Sequence, residues 1–200
     1  KDQPVPTGIH THNDSGLALA NSLAAVQAGV TMVQGTINGY GERCGNTDLV
    51  TVMGNLQIKM GYECVAEGKL KKLRELSRYV SEVANVPPFK RAAFVGKSAF
   101  AHKGGVHVSA ILKNPAAYEH IDPELVGNRR RVVVSDLAGK SNIEYKAREM
   151  GITLGGNGFG SEKIIKEVKR LEDEGYQFDA AEGSLELLMK KVTGQFQDPF

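Results

Sequence analysis

The chain has 200 residues, 41% hydrophobic and 24% charged, with a formal net charge of +2. That is a globular profile with apolar residues for one substantial core or two small ones, and so slight a charge gives no electrostatic case for nucleic acid or membrane partners. No apolar run nears the ~20 residues of a membrane helix, no signal-peptide pattern opens the chain, and Cys44 and Cys64 read as reduced thiols; the cytoplasm is the expected compartment.

"TGIH" at 7–10 reads as a short strand running into the turn "NDSG". Asn13, Asp14 or Ser15 can then cap a helix over 16–28, ended by Gly29. A β-rich run over 30–39 leads into turn glycines. Asn46 or Thr47 is expected to cap a second helix, with Leu49, Val52, Met53, Leu56 and Met60 on one stripe. Strand, helix, strand, helix at this spacing predicts parallel βα units. A third helix over 68–84 carries Leu70, Leu73, Val80 and Val83 and is stopped by Pro87-Pro88. We place a boundary there, between a first domain at 1–86 and a second at 87–200. The second half is less regular. The Gly/His segment "SAFAHKGGVHVSAIL" precedes a turn-rich "NPAAYEHIDPELVG", a basic strand "RRRVVVS", the turn "DLAGKSN" and a short helix to Met150. Ser161 is expected to cap an amphipathic helix with Ile164, Ile165, Val168 and Leu171 on one face, and a last helix spans 180–192.

Two motifs point to chemistry. In "GIHTHNDSG", His10 and His12 stand at i and i+2 at a strand end. On a strand both rings leave the same face and can converge on one ion, and strand ends before βα loops are where parallel α/β enzymes build their sites. In "NGYGERCGNTDLV" the glycines let the backbone bend and approach a ligand closely. Asn46 there is a helix cap, an oxygen ligand, or both. Three other features take plainer readings. "GGNGFGS" fits neither phosphate-binding fingerprint and reads as a hinge with Ser161 as a cap. "NRRRVVV" could reach phosphates, but reads as a solvated edge strand guarded by cations. Cys44 has no visible base partner and is not taken as a nucleophile.

"GIHTHNDSGLALANSLAAVQAGV" followed by "QGTINGYGERCGNTDL" resembles the Claisen-condensing acyltransferases: the 2-isopropylmalate, homocitrate and citramalate synthases. "FAHKGGVHVSAI" is similar to the segment that supplies a catalytic histidine in that family, and "DLAGKSNI" and "GYQFDAAEGSLELLMKK" look most like its citramalate synthase branch. The resemblance implies an α/β fold: the last strands of a TIM (β/α)8 barrel, followed by mixed α+β and helical subdomains. Carried over by position, it makes His10 and His12 ligands of a divalent metal (Mn2+, Zn2+ or Mg2+), with Asn46 at or next to the metal. His107 becomes the proton-transfer histidine and Tyr118 its assistant, while His102 is local structure.

The reaction so implied condenses acetyl-CoA with a 2-oxo acid, then hydrolyses the thioester, in branched-chain amino-acid biosynthesis. Pyruvate, giving citramalate, is the first expectation, and 2-oxoisovalerate, giving 2-isopropylmalate, the second. A homodimer is expected by the same resemblance. The family's first-strand Asp-Arg-Glu-type motif and its barrel glutamate have no counterpart here, and a (β/α)8 barrel typically needs ~250 residues. The chain is therefore read as a fragment, inactive alone. The rival readings are a lyase like hydroxymethylglutaryl-CoA lyase and a non-catalytic metal-binding module.

Overall fold

The structure, a computed structural model, describes residues 5–135, 137–155 and 159–198. They form two compact units: Lys1–Ala99 with Pro123–Arg129, and Phe100–Asp122 with Arg130–Phe200. The division therefore falls beyond Pro87-Pro88 and is not a single cut. Residues 123–129 return to the first unit because the Asn128 amide donates to the carbonyls of Phe94 and Gly96, at 2.9 and 3.0 Å. The turn Pro123–Val126 also packs on the 3-10 turn Lys69–Lys72.

In the first unit, β1 (Gly8–His10) pairs in parallel with β2 (Met32–Gln34), His10 opposite Gln34. The connection is α1 (Ala18–Gln27), whose first N–H reaches back to Asn13 Oδ1 at 3.3 Å. α2 (Leu49–Gly54) runs on into a π-helical turn, Asn55–Lys59, and buries Val50, Val52 and Leu56. Its cap is Asp48, not Asn46 or Thr47. The Asp48 carboxylate accepts the Val50 N–H at 3.0 Å from an extended backbone, whereas the Asn46 amide turns to the Tyr40 carbonyl. α3 (Leu73–Val83) buries Leu73, Ser77 and Ser81, continuing from Leu70, and leaves Val83 in solvent. The apolar periodicity misplaced this face because Asn38 docks on the serines. Its amide donates to Ser77 O (2.8 Å) and Ser81 Oγ (3.1 Å) and accepts from Ser77 Oγ (2.6 Å).

In the second unit, β3 (Ala101–His102) pairs in parallel with β4 (Arg131–Val132). Around them lie α4 (Gly105–Lys113), α5 (Lys140–Glu149), α6 (Phe159–Asp173) and α7 (Glu182–Val192). Ile143, Ile164, Val168, Leu185 and Met189 fill the core, with Ile165 and Leu171 packed against it. Two expectations are corrected. Ser161 is not a cap: it lies inside α6, fully buried, and its hydroxyl has no partner. Of the segment "GGNGFGS" read as a hinge, 156–158 lie outside the described residues. Nor is the basic strand a solvated edge. Arg130 and Arg131 reach Glu119 and Glu182, and Val132 and Val134 are buried.

Among the described residues the strands form two two-stranded parallel sheets and no closed barrel. No described helix is long and apolar enough to cross a membrane.

Candidate active site

β1 ends at His10, so His12 is not its continuation. Thr11 turns beneath α1, its hydroxyl at 3.1 Å from Ala18 O and 3.0 Å from Ser22 Oγ. His12 instead forms an antiparallel bridge with Asn46, closed by Asn13 N–H to Gly45 O (2.8 Å) and Thr47 N–H to Thr11 O (3.0 Å). The alternation survives the end of the strand. The His10 and His12 rings meet edge to face with centroids 5.1 Å apart, and both are exposed.

The loop after β2 brings Asn46 to this point. Gly45 has φ +87°, and a Cβ there would lie 2.0 Å from the Gly39 carbonyl oxygen, so only glycine closes the turn. Arg43 forks onto Asp14 at 2.6 and 2.9 Å, which holds the Asp14 carboxyl below its ordinary range. The pair joins the two βα loops, but it is exposed, so it contributes little stability. Burial pushes the Asp48 carboxyl up, against the N–H groups of Val50, Asn38 and Thr51.

Asn46 Nδ2 faces Tyr40 O at 3.4 Å, but its Oδ1 is buried with no hydrogen-bond partner. Such an atom costs about 1–3 kcal/mol unless something binds it. Two imidazoles with an orphaned amide oxygen at the adjoining bridge form a donor set that fits a borderline divalent ion. Among the described residues, no three His, Cys, Asp or Glu side chains gather as a complete metal centre.

The second unit holds the other candidate residues. His107 lies in the first turn of α4 and stacks on Tyr118, with ring centroids 4.3 Å apart and planes at 26°. Gly139 and Asn142 support the start of that helix. A Cβ on Gly105 would sit 3.1 Å from the Gly139 nitrogen, so the two glycines pack backbone to backbone. Buried Asn142 donates to Lys103 O (2.8 Å) and Val133 O (3.0 Å) and accepts the Gly139 N–H (3.1 Å). Asn142→Ala strands those groups and is expected to lower stability by roughly 3 kcal/mol, as checked by urea unfolding.

His102, on β3, is buried and meets Glu119 Oε1 at 3.1 Å. Arg130 grips the same carboxylate with two bonds, at 2.7 and 2.5 Å. Burial raises the Glu119 carboxyl, but Arg130 and His102 outweigh it and hold the group below the ordinary range. A depressed carboxyl contributes stability above the unfolded value of about 4.3, and that contribution is lost as pH falls through the lower folded value. Glu119→Ala should therefore cost about 3 kcal/mol at pH 7, the low end for a broken buried pair, because Arg130 can rehydrate. The deficit should shrink below about pH 4 in urea unfolding across pH.

The HMGL-like family model matches residues 1–80, and the model described as homocitrate synthase post-HMGL domain-like matches residues 94–176. The (R)-citramalate synthase of Synechocystis sp. is 56% identical across 100% of this chain. The chain belongs to the citramalate, 2-isopropylmalate and homocitrate synthase family.

Within that family, the (R)-citramalate synthase of Geobacter sulfurreducens is 56% identical over 94% of the chain, and the 2-isopropylmalate synthase of Methanocaldococcus jannaschii 39% identical over 98%. The chain spans about a third of the length of these curated synthases, 36%, 36% and 37% in turn. Its structure brings His10, His12 and Asn46 together in one unit and His107 with Tyr118 in the other. Sequence reasoning missed Asp14–Arg43, Asn142 and the Glu119 cluster. Only Asn142 had a local signal, since a polar residue three positions after a helix cap reaches back to the cap N–H.

Proposed function

We propose that the complete enzyme joins acetyl-CoA to a 2-oxo acid, pyruvate first, to give citramalate. One observation carries the reading: the His10–His12 ring pair beside Asn46, whose buried Oδ1 has no partner. The names of the relatives agree with it, and their identity favours the citramalate reaction over 2-isopropylmalate formation. On this reading β1 and β2 are the last strands of a (β/α)8 barrel, the second unit is the post-barrel subdomain, and the protein works as a cytoplasmic homodimer.

His10, His12 and Asn46 would hold a divalent ion. When bound, such an ion polarises the oxo acid's carbonyl and offsets the negative charge that develops on its oxygen. His107, with Tyr118 against its ring, moves the proton of the acetyl methyl group. That carbon bonds to the carbonyl carbon, the carbonyl oxygen takes up a proton, and water releases the CoA thiol. A positioned acid or base of this kind is worth on the order of 10²–10⁴ in rate.

The test is a substrate panel on the complete enzyme with acetyl-CoA and Mn2+, followed by free thiol. Pyruvate should turn over fastest, ahead of 2-oxoisovalerate and 2-oxoglutarate. A faster reaction with either of the others corrects the substrate, and thiol release with none of them overturns the function.

A further inference from the structure

We infer that Glu119 is a positioning residue for the His107–Tyr118 pair: its buried carboxylate, held by Arg130 and His102, fixes the turn from which Tyr118 reaches the His107 ring. The inference rests on the functional reading above, in which His107 and Tyr118 handle protons.

Tyr118 is 48% exposed, and its ring contacts only His107 among the ring contacts of the described residues. With half of the residue in solvent, the aim of the phenol depends on the backbone beside it. That backbone is anchored at the next residue. The Glu119 side chain is only 2% exposed, and its N–H bonds to Pro115 O at 3.0 Å. The two bonds from Arg130 fix the plane of the carboxylate, not merely its position, because a guanidinium fork matches a carboxylate in one orientation. His102, on β3, holds the Oε1 edge at 3.1 Å. The next residue, His120, stacks on Phe100 with planes at 8°, so the chain just after Glu119 is pinned as well. Tyr118 and Glu119 are consecutive, and the turn sends one outward and the other inward. A carboxylate free to swing would let the phenol drift from the imidazole.

The test uses the complete enzyme with its histidine rings labelled at Cε1. His107→Gln assigns the His107 resonance, and Tyr118→Leu measures how far the phenol's ring current displaces it. Glu119→Gln, which keeps the shape of the side chain, should abolish at least about half of that displacement. In the same variant kcat should fall about tenfold while KM for both substrates stays within about twofold, the mark of a lost transition-state alignment. Arg130→Lys keeps the charge without the fork and should shift the resonance the same way to a smaller extent; it decides the matter if Glu119→Gln does not fold. A wild-type His107 resonance in the folded variants overturns the inference, whatever turnover does. If the wild-type enzyme condenses no oxo acid, the functional reading fails, while the resonance still decides the role of Glu119.

Discussion

His12→Ala in the complete enzyme should weaken divalent-metal binding by more than about a hundredfold, measured by titration against a competing chelator. Even residues that only orient a ligand change affinity by about 10–100-fold, so loss of a donor should exceed that. Stability should barely move. The ring is exposed, and its bridge to Asn46 runs through backbone groups that alanine keeps, so the change should stay within about 0.5 kcal/mol. Turnover should fall with the metal and recover in part as Mn2+ is raised. Wild-type affinity in the variant would remove His12 from the metal site and break the proposed convergence of the two rings.

His107→Ala should lower kcat by at least about a hundredfold, with metal content unchanged and KM little altered. The two substitutions are thus separable: one loses the ion, the other keeps it and loses proton transfer. His107 sits in the first turn of a helix whose start is set by Gly105, Gly139 and Asn142, and the ring is exposed. Truncation forfeits the stack on Tyr118, worth about 0.5–1.5 kcal/mol, and leaves the unit's core intact. Near-normal turnover would exclude His107 from the chemistry.

The local patterns were legible wherever a few neighbouring residues decide the outcome. The parallel pair joined by α1 followed from the run of strand, helix and strand signals, and α5 and α7 end close to the expected positions, Met150 and Val192. The errors came where a distant partner outweighed that pattern. Ser77 and Ser81 are buried while Val83 is left in solvent because Asn38, some forty positions earlier, bonds to the serines. The arginines of "NRRRVVV" looked like guards of a solvent edge, yet Arg130 and Arg131 turn to carboxylates on other elements.

The candidate site divides the same way. The His-x-His spacing put both rings on one side of the chain before any fold was known, since alternate side chains on an extended backbone share a face. That Asn46 lies across from His12 with its amide oxygen bare depended on a bridge between two loops, and the loop's reach depended on Gly45 folding against the Gly39 carbonyl. Likewise, nothing in "AAYEHIDP" said that Glu119 would be drawn inward by Arg130 and His102 while Tyr118 met His107. Spacing along a chain dictates which side chains share a face; which groups then meet across loops is chosen by packing and by the need of buried polar atoms for partners.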